Sequence, residues 1–493
     1  VSDDNFGPEL IFAIVRPVGV DRDGVVAAFK RQLDSFGYQL EHIRLSAAIE
    51  DWLPDTVDVP VNTYDRIKFL IEQGDKICEL NSSSAALAAT AIASIKRSRS
   101  NDGVEPPKRR QRVAYLIDSV KRTQEAALLK RVYGERYIQV ALMSHESLRR
   151  EYLVEKFRTE NFSEGIGVHE QHAMDLIGID QKEGTLFGQN VSKVFPKSDL
   201  FVNADEDVED QLERFLNLMF NSPDYVPPSV VEFGMNMAYI ASTRSAELGL
   251  KVGAAILDAK NHVLSLGCNS HPTKPDEAPQ FDRSRISIKE LVLDTLRRAR
   301  SLLKEEHSVR LGSEPEAFVT ELLGDGGYLE DAQLQDLTEF QLPVHAEMAA
   351  ILDGLHRGGI SEGDTLYVTA YPCHNCAKHL MAAKLNVVYL EPYPKSKAES
   401  MYGSAFTAFQ GIAPKRYDTL FRVGGDRKDK DGARLAWSYN ERAKALPKVG
   451  QFDEYQASEH EREIAALSEE LTGMDGTDLG EEQIEGEVDV HQQ

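Results

Sequence analysis

His345, Glu347, Cys373 and Cys376 are the residues whose types and spacing do chemistry together. They stand in "VHAEMAAILDG" and "TAYPCHNCAKHL". One imidazole and two thiolates make a three-donor zinc site with its fourth position open for water, the arrangement of catalytic rather than closed structural zinc. His345 begins one helical pattern and the CxxC pair begins another, and helix N-termini lend partial positive charge that favours thiolates. Water on zinc then ionises near neutral pH. Glu347, two residues after His345, sits near the metal without having to be a ligand, where a proton shuttle belongs. In a hydrolytic deamination it would take a proton from that water and pass it to a ring nitrogen and then to the departing amine.

The alternative chemistry is a small closed zinc knuckle. It needs a fourth protein ligand, for which His374, His379 and Cys268 are the candidates. The HAE triplet and the strand before PCxxC favour the open site, and Cys268 reads as a buried small side chain.

These residues need a scaffold. At 493 residues the chain is too long for one ordinary core, so two domains with appendages are expected. Alternating apolar runs and amphipathic helices over 1–205 predict a parallel α/β domain: "ELIFAIV", "RVAYLID" and "YIQVALM" read as buried strands. Residues 206–229, an acidic helix followed by "SPDYVPPS", read as a linker. A second α/β unit over 230–446 carries the zinc motifs, interrupted by a polar helical insertion at about 270–341. Residues 447–493 read as an acidic, solvated tail: from Glu459 onward there is one Arg and no Lys.

Four cysteines, Cys78, Cys268, Cys373 and Cys376, are too few for a disulfide framework and fit a reducing compartment. With no apolar run of bilayer length and no signal-peptide pattern at "VSDDNFGPEL", the expectation is a cytoplasmic protein without membrane contact. A net charge of −24 argues against a broad polyanion-binding surface.

HxE paired with PCxxC is the zinc deaminase signature. The two motifs, together with "RSAELGLKVGAAILDAKNHVLSLGCNSHP", resemble the deoxycytidylate deaminase family. The resemblance implies a three-layer α/β/α cytidine deaminase-like domain, with His345, Cys373 and Cys376 as zinc ligands and Glu347 as the catalytic acid/base. It also implies that Asn269 of "GCN" holds the sugar or base of a deoxycytidine nucleotide substrate, beside Ala346. Lys251, Lys395 and Ser396 are candidates for the substrate phosphate.

In the first domain, "RPVGVDRDGVV" lies where a strand gives way to a helix, and Gly19 and Gly24 have the spacing of GxxxxGK[ST]. Val25 and Val26 replace the lysine and the hydroxyl residue. Asp118 ends a buried strand, as a magnesium-binding acid would. These elements suggest a P-loop NTPase-like, kinase-like parallel-sheet domain that binds a nucleotide ligand with impaired hydrolysis.

A degenerate P-loop domain joined to a deoxycytidylate deaminase domain resembles the bacterial antiphage deoxycytidine nucleotide deaminases, up to about Trp437. That resemblance implies conversion of dCTP and dCMP to dUTP and dUMP, depletion of dCTP during infection, a homo-oligomer, and in some systems inhibition by a small RNA. The basic run Lys96–Arg112 is the segment such an RNA would meet, as an extended loop. The alternatives are a housekeeping dCMP deaminase supplying dUMP, a polynucleotide cytidine deaminase, and a nucleotide-sensing scaffold with structural zinc. "HEQH" at His169–His172 lacks the spacing of a metalloprotease helix.

Overall fold

Six consecutive residues, Leu10–Val15, are fully buried, as expected of a central strand covered on both faces. In the computed structural model of this chain, the residues described are 7–54, 57–100, 110–161, 165–181, 191–279, 283–324, 326–329, 332–337, 342–390, 398–402, 405–422, 426–449 and 456–471. The chain divides into two units: 1–227 with 410–493, and 228–409.

The first unit is built on β1 (Leu10–Val15), β2 (Gln39–Arg44), β3 (Val113–Asp118), β4 (Tyr137–Met143) and β5 (Leu200–Asn203), all parallel in the order β5-β4-β1-β3-β2. After β1 the helix Arg22–Ser35 starts at Asp21, whose carboxylate accepts from the Asp23 N–H. Val25, Ala28, Phe29 and Leu33 recur at helical spacing and are buried.

The structure corrects the expected linker. Within 206–229 the helix Val208–Met219 buries Leu212, Phe215 and Leu216 in the core of the first unit, and Phe220 stacks on Phe36 with centroids 4.3 Å apart. Each such side chain contributes about 1.5–3 kcal/mol by leaving water, too much for a solvated joint. The boundary falls at Pro227 and Pro228.

In the second unit β6 (Gly253–Leu257) pairs antiparallel with β7 (Val263–Cys268) and with β8 (Thr365–Val368). β9 (Asn386–Tyr389) and β10 (Phe406–Ala408) extend it in parallel, giving the order β10-β9-β8-β6-β7. Two glycines seat helices on this sheet. A Cβ on Gly253 would collide with backbone at Ala238 and Ser242, and one on Gly267 with the Ala346 carbonyl and the Ala350 nitrogen. Gly267 pairs with Ala254, the neighbour of Gly253. Cross-strand partners share a face and neighbours alternate, so the helices Val230–Ser242 and Ala346–His356 cover opposite faces, a helix–sheet–helix sandwich. Between β7 and β8 the helices Arg283–Arg298, Glu305–Ser313 and Pro315–Leu323 include a small cluster of their own, with Ile288, Val292, Val319 and Leu323.

The chain then returns to the first unit. β11 (Gly411–Ile412) pairs antiparallel with β5 beyond the parallel set. The second domain, expected to run to 446, therefore ends at 409. The tail also differs from the expected solvated segment: Gln456–Glu470 is a helix, with Glu459 and Glu463 at 2% and 1% exposure. The reason is a buried cation. Arg99, itself 4% exposed, contacts Glu9 at 2.6 Å, Glu463 at 2.7 Å and Glu459 at 3.0 Å, and Arg136 also pairs with Glu459. A buried guanidinium needs counter-charges, which the acidic helix supplies. Among the described residues no helix is long and apolar enough to cross a membrane.

Candidate metal centre

His345 and Cys373 each occupy an N-cap. His345 precedes the helix Ala346–His356 and Cys373 precedes His374–Ala382, both in extended backbone conformation. The Cys373 sulfur accepts from the Cys376 N–H at 3.4 Å, closing the CxxC turn. The His345 Nδ1 lies 3.5 Å from the sulfurs of both Cys373 and Cys376, and the three donor atoms fall within 4.8 Å of one another. A tetrahedral zinc with Zn–S of about 2.3 Å and Zn–N of about 2.0 Å has N···S edges of roughly 3.5 Å. The donor set and its spacing fit zinc.

Among the described residues Cys268, His374 and His379 do not join this group. The described residues therefore bring three donors together there, the number an open site has.

Electrostatics concentrate on the same atoms. The Cys373 thiol is drawn down to about 3 by its hydrogen bond with Cys376 and then by His345, while Cys376 is pushed up. A bound dication would favour the thiolate form of both. Glu347, 4% exposed, is pushed up to about 6 by burial against the pull of His345, and its carboxyl hydrogen-bonds Cys376. The arrangement can hold a Lewis acid beside a buried carboxyl able to exchange protons.

The other expected site residues are less uniform in position. Ala346 is buried in the first turn of its helix. Asn269 accepts from the Val252 N–H at 2.8 Å through its side-chain oxygen and donates to the Leu250 carbonyl at 2.8 Å. Its amide thus pins the backbone on either side of Lys251, which is exposed. Lys395 and Ser396 lie outside the described residues. Sequence reasoning missed the supports of this edge: the Ser245 hydroxyl donates to the Asn269 carbonyl, and the Thr369 hydroxyl accepts from Gly253. Isolated Ser and Thr carry no spacing signal that would have found them.

In the first unit Gly19 has a φ of +94° in the turn after β1, whereas Gly24 lies inside the helix Arg22–Ser35. Val25 is in the core. Asp118 sits at the end of β3 and pairs with Arg16 at 3.0 Å. Of the basic run, expected as an extended loop, residues 101–109 lie outside the described residues. Its start lies in the helix Ala86–Ser100; Arg99 is buried among carboxylates, Arg110 pairs with Glu41, and Arg112, 4% exposed, donates to the carbonyls of Phe36 and Ala445. These three guanidiniums are engaged internally, Arg99 and Arg112 buried and Arg110 partly exposed. Lys108 and Arg109 lie outside the described residues. His172 of "HEQH" stacks on Tyr64 at 3.9 Å.

The family model for the cytidine and deoxycytidylate deaminase zinc-binding region matches residues 228–391, within the second unit. That description and the donor cluster agree on zinc as the cofactor. The chain is 28% identical over 166 residues to the deoxycytidylate deaminases of Enterobacteria phage T2 and Enterobacteria phage T4, covering 33% of this chain and 80% and 78% of those proteins. The dCMP deaminase of the cyanophage S-TIM5, solved in apo form and in complex with dCMP and dUMP, is 16% identical. It matches over 37% of this chain and 98% of that one, with a TM-score of 0.22.

Proposed function

We propose that the chain is a zinc-dependent hydrolase that deaminates dCMP and dCTP to dUMP and dUTP. The observation that carries this is the meeting of His345 Nδ1 with both sulfurs at 3.5 Å, beside the buried carboxyl of Glu347. His345, Cys373 and Cys376 hold zinc, which when bound supplies the Lewis acidity that brings water toward ionisation at neutral pH. Glu347 takes a proton from the attacking water and delivers it to the ring nitrogen N3, then carries the remaining hydroxyl proton to the amino group, so that C4 keeps the oxygen as a carbonyl and the C4–N bond breaks to release ammonia. Asn269 keeps the 250–252 backbone in place, and Lys251 offers its charge to the substrate phosphate.

The phage relatives, deoxycytidylate deaminases matched over a third of this chain, support the substrate class. The first unit goes beyond a housekeeping role. In this reading it holds a nucleotide without hydrolysing it, and the enzyme drains dCTP so that phage DNA replication stops. The order β5-β4-β1-β3-β2 with a loop and helix after β1 supports a P-loop-like scaffold, and Val25 and Val26 account for the missing hydrolysis.

The test has two parts. Purified protein should release ammonia from dCTP and dCMP faster than from a cytosine-containing oligonucleotide. Cells expressing the wild type should lose dCTP on infection, whereas cells expressing Glu347→Ala should keep it. Unchanged dCTP in both, with dCMP turnover intact, would favour the housekeeping reading.

A further inference from the structure

A cavity of about 400 Å³ lies at the C-terminal ends of β1, β2 and β3. The chain runs outward from β1 to β2, returns through β3, and crosses to β4 on the other side of β1. In open α/β sheets, ligands bind in the crevice outside the strand carboxyl ends at such a reversal. The volume lies within the range of small-molecule sites.

Two chemistries line it. Ile49, Leu70, Ile71 and Leu87 form apolar wall, while seven Lys or Arg face four Asp or Glu, an excess of cations in a chain of net charge −24. Some of the cations are committed: Arg16 to Asp118 at 3.0 Å, and Lys121 to Asp180 at 2.5 Å. The side chains of Arg44 and Lys156, both exposed, make no hydrogen bond or close ion pair among the described residues, although the Lys156 charge acts on Asp23. The Ser119 hydroxyl oxygen, also on the lining, is buried and lacks a hydrogen-bond partner. A buried hydroxyl without a partner is costly unless a ligand or water satisfies it.

The glycine turn itself is a poor anion cradle here. The Asp21 carboxylate already caps the helix N-terminus, and the Arg149 backbone and Cβ lie against Gly19. An anion would meet a carboxylate at the place where a P-loop receives phosphate.

We propose that this cavity binds a nucleoside phosphate, with its phosphates on Arg44, Lys156 and the Ser119 hydroxyl and its base against the apolar wall, rather than on the glycine turn. The proposal rests on the reading of the first unit as a nucleotide holder and is independent of the zinc chemistry.

Calorimetry on the zinc-loaded full chain tests it, with ATP, GTP, inorganic triphosphate and adenosine as separate probes; the purines keep the cytosine site out of the measurement. ATP or GTP should bind once per chain, more tightly than triphosphate or adenosine. The double variant Arg44→Ala, Lys156→Ala should weaken binding by about tenfold or more, Ser119→Ala by several-fold, and Lys30→Ala, outside the lining, not at all. All should keep the wild-type melting temperature and dCMP turnover. Equal ATP affinity in the double variant and the wild type would overturn the cavity while leaving a nucleotide-binding first unit standing. Triphosphate binding as tightly as ATP would remove the nucleoside from the proposal. No binding of either purine nucleotide at millimolar concentration would overturn both.

Discussion

His345 and Cys373 stand 28 residues apart in sequence, each at the N-cap of its own helix, and their Nδ1 and Sγ atoms meet at 3.5 Å. Both helix ends thus face the metal position. Their partial positive charge helps keep the sulfurs ionised.

Glu347→Gln should lower dCMP deamination by about 10²–10⁴-fold, the usual worth of a general acid–base group, with zinc still bound. Cys376→Ser should lose zinc as well as turnover. Elemental analysis beside activity separates the two, and a Glu347→Gln protein with normal turnover would remove that residue from the mechanism.

Gly267→Ala tests whether helix placement sets the site. The added methyl would overlap the Ala346 carbonyl and the Ala350 nitrogen, driving the helix that begins after His345 off the sheet. The expected cost is about 1–3 kcal/mol, together with weaker zinc retention. Stability and zinc content measured on one preparation check both.

Removing counter-charges from the C-terminal helix should destabilise the first unit. Glu463→Ala removes one of three carboxylates around Arg99, which keeps Glu9 and Glu459, and loss of a hydrogen bond to a charged group costs about 1.5–3 kcal/mol. A lower melting temperature with normal zinc content is expected. An unchanged one would mean that the Glu463–Arg99 contact adds no net stability.

Acid stability should depend on Asp118. Burial pushes its carboxyl up, but Arg16 and His42 outweigh burial and hold it below the usual carboxylate range. A depressed folded-state value gives stabilisation that is complete above the unfolded value of about 3.9 and is lost as pH falls below it. Asp118→Asn should cost on the order of 2 kcal/mol at neutral pH and differ less from wild type at pH 3. Urea unfolding at both pH values reads this difference.

The zinc donors were legible in the sequence because their geometry is mostly local. A CxxC at a helix start places its sulfurs through one turn of backbone, and HAE places Glu347 within the first turn after His345. Buried parallel strands such as Leu10–Val15 were legible for a similar reason, since covering both faces leaves a continuous apolar run. Tertiary structure alone decided that residues 410–493 return to the first unit, that Arg99 draws Glu459 and Glu463 out of water from 360 and 364 positions away, and that the Asn269 amide holds backbone. An acidic residue that solvates a tail and one that neutralises a buried guanidinium are the same letter. Which role it takes depends on charges brought near by the fold, where low dielectric makes an unpaired ion costly and a paired one tolerable.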